Sequence, residues 1–313
     1  MGSPSFRVGP SFRVGDAVIT RIDEIPLSHR SPVELFPETD PEAGDRHRGR
    51  LPAGAQDPET GAIGLSIHSW LVRTPHHTIL IDTATGNGKE RPGVPVMHRL
   101  DVPYLQRLEA ARVRPEQVDH VLITHVHADH VGWNTRLVDG RWVPTFANAR
   151  HHFSAIEQRY GDSLSDPAAP PFRPDPALGA PRHPPLDGVY QDSVRPVIEA
   201  GLADLVSVDG GEVLDGISFH PAPGHSIDHA VIRLRSRGEE ALFAGDVMHH
   251  PLQVYEPGWN SRYCEFPEPA RASRRWLLET AAESGALVLP GHFPDSSAGR
   301  ITRHGDCFEW TFA

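Results

Sequence analysis

The sequence predicts an α/β protein, a two-layered sheet sandwich with helices outside and a functional site along one edge. Two observations lead there. Strands and helices alternate along the chain in two successive sets, and in both halves metal-binding residue types stand just after short apolar strands.

The elements follow in order. Ala17 to Ile22 reads as an opening strand, and residues 37–61, rich in Pro, Gly and charge, as a long loop. Ile67 to Val72 and Thr78 to Ile81 are apolar runs around Thr74-Pro75-His76-His77, which predicts a strand–turn–strand unit. Asp82 follows at once, then the Gly-rich Thr85-Gly86-Asn87-Gly88. Leu105, Leu108 and Ala111 give Val102 to Val113 near-helical spacing. Pro115 to Val118 reads as one short turn and Asp119 to Thr124 as a buried strand. Residues 161–188 hold many Pro, Asp and Gly, a loop of lid-like length between two groups of metal-type residues. A helix is expected at Val189 to Ala200, and strands at Val206–Val208, Ile217–His220, Ala230–Leu234 and Ala241–Ala244. A helix over Glu268 to Glu283 and a buried strand at Ala286 to Leu289 complete the pattern.

No internal linker divides the chain, so residues 16–313 are read as a single domain behind an N-terminal tail, residues 1–15. Within that tail Ser5-Phe6-Arg7-Val8-Gly9 recurs as Ser11-Phe12-Arg13-Val14-Gly15, and the first copy is read as a cloning scar.

Composition narrows the function. With 38% hydrophobic and 23% charged residues the chain is globular rather than disordered. Its net charge of −11 argues against a nucleic-acid partner, which needs a basic face to displace counterions. Lys89 is the single lysine, so Schiff-base chemistry has one candidate, in a Gly-rich loop without an evident apolar pocket. Cys264 and Cys307 form no CxxC pair and are read as free thiols. No apolar run reaches the roughly 18 residues that span a bilayer, and no secretory signal is evident at the start. The expectation is a cytoplasmic protein acting on a small molecule, without membrane or nucleic-acid partners; a homodimer is left open.

The most specific feature is Thr124-His125-Val126-His127-Ala128-Asp129-His130. In an extended segment alternate side chains share a face, so His125 and His127 can address one metal ion. The chain then turns, which aims Asp129 and His130 at a second position nearby. Neutral imidazoles and a carboxylate suit zinc and similar first-row ions.

This segment resembles the defining motif of the metallo-β-lactamase superfamily. The resemblance extends to Pro223-Gly224-His225-Ser226, to Leu242-Phe243-Ala244-Gly245-Asp246, to Val288-Leu289-Pro290-Gly291-His292, and to the early Ile81-Asp82-Thr83. It implies an αββα sandwich with a dinuclear metal site at one edge of the two sheets. It implies that His125, His127 and His225 hold the first ion, that Asp129, His130 and His292 hold the second, and that Asp246 bridges both. Asp82 would orient a ligand from behind. The implied ions are two divalent metals, zinc first, with manganese, cobalt or iron as alternatives. The implied reaction is attack of a metal-bridging hydroxide on a small, fairly apolar ester, lactone or organophosphate-type bond, with Asp129 handling the proton.

Where quorum-signal lactonases of the superfamily usually carry Tyr, three residues past the bridging Asp, this chain has His249. That departure shifts the likeness towards the methyl parathion hydrolase-like branch and makes His249 a candidate substrate-side catalytic residue. His229 is read as structural. His76, His77, His151, His152, His183 and His304 are read as surface or satisfied polar residues. Trp133, Phe153, Trp259 and Phe293 flank the proposed ligands; each is read first as a core residue, and together they favour a fairly apolar substrate. A hydrolytic dehalogenase or thioesterase on the same site, or a mononuclear-iron persulfide dioxygenase, are the alternatives within the same fold.

Overall fold

The computed structural model describes residues 8–40, 42, 44–52 and 54–313. The first copy of the N-terminal repeat falls mostly on residues 1–7, outside the described residues. The helices are α1 (Pro32–Leu35), α2 (Tyr104–Ala110), α3 (Ala155–Ser165), α4 (Arg195–Glu199), α5 (Leu252–Tyr255) and α6 (Pro267–Ser284). The chain divides into two compact units, one of residues up to Ile25, Ile67–Arg173 and Pro185–Ser207, the other of Pro26–Ser66, Pro174–Pro184 and Val208–Ala313. No described helix is long and apolar enough to cross a membrane.

The first unit carries most of a seven-stranded sheet. Its strands are β1 (Ser11–Val14), β2 (Ala17–Arg30), β3 (Ile63–Arg73), β4 (Thr78–Ile81), β5 (His120–Leu122), β8 (Arg150–Ser154) and β9 (Ala203–Val206), in that spatial order; β6 (Thr135–Val138) and β7 (Arg141–Pro144) form a separate hairpin. From β4 to β9 the pairings are parallel. Parallel strands are usually buried on both faces, which is why β4 and β5 read as unbroken apolar runs. Burial along β3 is continuous over ten residues.

The second unit carries a seven-stranded sheet, in the order β10 (Glu212–Leu214), β11 (Ile217–Pro221), β12 (Ala230–Ser236), β13 (Glu239–Gly245), β14 (Leu287–Pro290), β15 (Gly299–His304) and β16 (Cys307–Phe312). All its neighbours are antiparallel except β13 and β14, which helix α6 connects as a crossover. Proline opens α6 at its first turn, where a missing N–H costs nothing. Gly285, at φ 65° in the left-handed region, closes it, its N–H bonded to Ala281 O at 2.9 Å. Leu277, Leu278 and Ala281 of α6 pack with Leu242, Val288, Phe293 and Trp310 in the core of this unit.

Several sequence expectations need correction. The predicted loop at 161–188 begins inside α3, which runs to Ser165 because Ser154 caps it, accepting the N–H groups of Ile156 and Glu157. The helix expected at 189–200 is a π turn at Tyr190–Val194 followed by α4, and Pro196, lacking an N–H, interrupts the α ladder there. The strand expected at 206–208 lies at 203–206. β8 was hidden because Arg150-His151-His152-Phe153 shows no apolar alternation; of the two readings of His151 and His152 the structure shows the buried polar one, His152 being hydrogen-bonded to His120.

Lys89, in sequence only the single lysine of a Gly-rich loop, has a defined place in the structure. Its side chain is fully buried. Its Nζ donates to Thr135 Oγ1 at 2.6 Å and to the carbonyl of Asp192 at 3.0 Å, and stands 3.6 Å from the Trp142 ring centre. Arg91 grips the two carboxylate oxygens of Asp192 at 2.8 Å each. Burial outweighs the attraction of Asp192 and pushes the lysine down to about 7. The folded state therefore holds fewer protons than the unfolded state between that value and the ordinary 10.5. Stability should rise with pH through this window and be lowest below it. Urea unfolding between about pH 7 and about pH 9 should show that rise in the native chain and a flatter profile in Lys89→Met; equal slopes would refute the assignment.

Candidate metal centre

In the first unit the metal-type residues begin just past β5. The His125 ring centre lies 4.5 Å from that of His127 and 4.1 Å from that of His130. Asp82 organises this turn. It sits at φ 55°, a left-handed conformation that non-glycine residues rarely adopt without cause. Its Oδ1 accepts the Thr124 N–H at 2.8 Å, and its Oδ2 accepts the Thr124 hydroxyl at 2.8 Å and stands 2.8 Å from His130 Nδ1. A proton on His130 Nδ1, donated to this carboxylate, directs the Nε2 lone pair the other way, as metal-binding histidines require. Asp129 Oδ1 lies 3.8 Å from that Nε2.

The backbone locks the segment from the other side. Thr83 N–H donates to His130 O at 2.6 Å, Gly132 N–H to Ala84 O at 2.7 Å, and Trp133 N–H to Thr83 O at 2.8 Å. A Cβ on Gly132 would stand 1.8 Å from the Thr85 carbonyl oxygen, so only glycine fits this close approach. Glu24, a buried carboxylate, accepts the Thr85 and Gly86 N–H groups at 2.9 Å each and Trp133 Nε1–H at 2.7 Å. Burial raises its pKa against the pull of these donors. Nothing near Glu24 in the sequence marks this role; the contact spans 109 positions.

In the second unit Gly224 precedes His225 at φ 129°, with Ala270 N only 2.1 Å from where a Cβ would stand. That crowding explains the glycine of the Gly-His pair. Asp246 and His292 follow β13 and β14, neighbouring parallel strands whose ends are tied by Gly291 N–H to Gly245 O at 2.9 Å. Asp246 Oδ2 lies 3.0 Å from His292 Nε2, 3.2 Å from His225 Nε2 and 3.3 Å from His249 Nε2. One carboxylate oxygen thus meets three imidazole nitrogens away from solvent. His292 Nδ1 is bonded to Ser66 O at 2.8 Å, and His229 Nε2 accepts the Asp246 N–H at 2.9 Å. Ligand atoms of His225, Asp246 and His249 lie within 4.8 Å of one another, close enough to share a cation.

His249 is buried, and that burial lowers its pKa. Its backbone N–H donates to Gln253 Oε1 at 2.6 Å, and its Nε2 stands 3.3 Å from Ser261 Oγ. Gln253 and Ser261 carried no sequence signal. Three of the four aromatics that flank the proposed ligands are core residues, in line with the sequence reading of each. Trp133 is buried and stacked on Tyr104 at 5.2 Å, and Phe153 and Phe293 are core residues, Phe293 against Trp310 at 5.0 Å. Trp259 is partly buried beside Phe36 at 5.7 Å. Their hydrophobicity is used for packing.

The donors are imidazoles and carboxylates, with no thiolate among them, a set that fits zinc and neighbouring first-row ions. Comparison with known proteins gives the family. The model of the metallo-beta-lactamase superfamily matches residues 62–292. Among solved structures, the hydrolase AbOPH of the beta lactamase superfamily is 24% identical, with a TM-score of 0.75, over 98% of this chain and 97% of that one. AidC, a dizinc quorum-quenching lactonase with a bound homoserine product, is 18% identical, with a TM-score of 0.71, over 98% of both chains. A probable metal-dependent hydrolase from Staphylococcus aureus is 18% identical, with a TM-score of 0.73, over 96% of this chain and 99% of that one. No curated protein matches. With its two large sheets and flanking helices, the chain belongs to the metallo-β-lactamase superfamily and is a metal-dependent hydrolase.

Proposed function

We propose that the chain is a dinuclear hydrolase of small, fairly apolar esters, lactones or organophosphate-type substrates. In this reading His125, His127 and His225 hold one ion, Asp129, His130 and His292 hold the other, and Asp246 is shared. The observation that carries it is Asp246 Oδ2, set among three imidazole nitrogens at 3.0–3.3 Å, as a shared ligand would be. Two divalent ions, zinc first, would supply Lewis acidity and an acidified water at neutral pH.

The protein's own groups then divide the remaining work. Asp82 fixes the tautomer of His130, and the Ser66 carbonyl fixes that of His292. Asp129 is less buried than the carboxylates Asp82 and Asp246, which suits it to take a proton from the nucleophile and return it to the leaving oxygen. His249, with Ser261 beside its ring nitrogen, would hydrogen-bond the substrate oxygen. The substrate class draws on AbOPH being a hydrolase and on AidC being a lactonase.

Exhaustive chelation should abolish hydrolysis, and zinc, manganese or cobalt should restore it; full activity in verified metal-free protein would refute the mechanism. Asp246→Ala should lower bound metal and rate together, the rate by about two orders of magnitude or more. His249→Phe should retain both ions and lower kcat by about tenfold to a hundredfold, measured with metal content in the same sample. One iron and no zinc per chain would favour the dioxygenase alternative. A purified-protein screen over lactones, aryl esters, thioesters, phosphotriesters and β-lactams would fix the bond.

A further inference from the structure

A second group of histidines lies in the first unit, away from the residues assigned above. β5, β8 and β9 are neighbours, with Leu122 paired to His152 and His152 paired to Asp204. His120 is two residues before Leu122, so with a side-chain period of two it shares a face with His152 and Asp204. His77, two residues before the Ile79 that pairs with His120, joins the same face from the turn before β4. His151 points the other way, towards Phe146. Sequence alone could not assemble this group, because its members come from four separate segments.

The contacts are close. His120 Nδ1 and His152 Nε2 are 3.0 Å apart, and the ring centres of His77 and His120 are 4.9 Å apart. Two imidazole nitrogens on one tetrahedral zinc, each about 2.0–2.1 Å away, stand about 3.3 Å from each other, so the pair needs only a small adjustment. His152 Nδ1 faces Asp204 Oδ2 at 3.9 Å, too long for a hydrogen bond but near enough for the carboxylate to favour a proton on Nδ1 and a lone pair on Nε2. Arg150, on the same face, opposes a cation, and it is bound by Asp204 through Nε at 2.9 Å and through Nη2. Asp119 adds a carboxylate whose charge acts on His120. Burial lowers the pKa of His120 and takes His152 down to about 4, so both rings are neutral near pH 7, the form that binds metal. His77 and His120 are half-buried, which leaves an ion a path inward.

We infer that His77, His120 and His152, with Asp204 behind them, form an accessory site for a divalent transition-metal ion, separate from the proposed catalytic pair. Binding would replace the His120–His152 hydrogen bond: the donor ring shifts its proton to its other nitrogen, so both facing nitrogens offer lone pairs and both rings stay neutral, with His77 rotating in as the third ligand. Open positions would be filled by water. Such an ion would tie together β5, β8 and the turn before β4, the sheet region from which the His125 segment emerges.

The test is calorimetric titration of the zinc-loaded full chain, cleared of loose metal, with Ni2+. The expected result is one additional ion per chain with about micromolar affinity, weakened at least about tenfold in His77→Ala/His120→Ala. The hydrolytic rate of that double variant before nickel is added should match the native chain. Nickel should raise the Tm of the native chain and not that of the double variant. Asp246→Ala should keep the nickel site, so loss of the dinuclear reading and loss of this one are separable. No extra ion in the native chain, or undiminished binding in a double variant with a native circular dichroism spectrum, would overturn the inference.

Discussion

Carboxylates and imidazoles withdrawn from water are the constraint on which the rest depends. A buried carboxylate is costly unless its lone pairs are engaged. Asp82 resolves this with two contacts to Thr124 and one to His130. Asp246 resolves it differently, with one oxygen against three imidazole nitrogens and its backbone N–H on His229. Histidine nitrogens crowded on one oxygen have more lone pairs than protons to share. A cation satisfies such a set better than any distribution of protons, which is the physical sense of the superfamily's donor pattern.

Much of the chain serves to hold those donors still. Gly132 and Gly224 are positions where a methyl group would collide with backbone. Glu24 anchors the loop at Thr85 and Gly86 to Trp133, and Lys89 with Arg91 anchors the next stretch to Asp192. Each of these is a buried ionisable group held by several backbone or side-chain partners, which offsets much of the cost of burying it. They rigidify the segments on either side of the His125 motif. That rigidity matters because a metal site misplaced by an ångström loses much of its catalytic value.

The sequence revealed the parts whose chemistry is local. The apolar runs of β4, β5, β13 and β14, each followed by Asp or His, were legible because burial and metal-binding residue types leave marks within a few positions. The C-terminal hairpin of β15 and β16 also leaves a mark, in the alternation around the Gly305-Asp306 turn. β8 was not legible, since a buried histidine stands on each of its faces and breaks the apolar alternation. The environments of Glu24, Lys89, Ser261 and Gln253 were hidden for another reason: each depends on partners brought near only by the fold.

The most direct test of the central claim is anomalous diffraction at the zinc edge from crystals of the stoichiometrically loaded chain. The account predicts two ions about 3.5–4 Å apart, with one carboxylate, that of Asp246, coordinated to both. A single ion in that region, or Asp246 coordinated to neither, would contradict it.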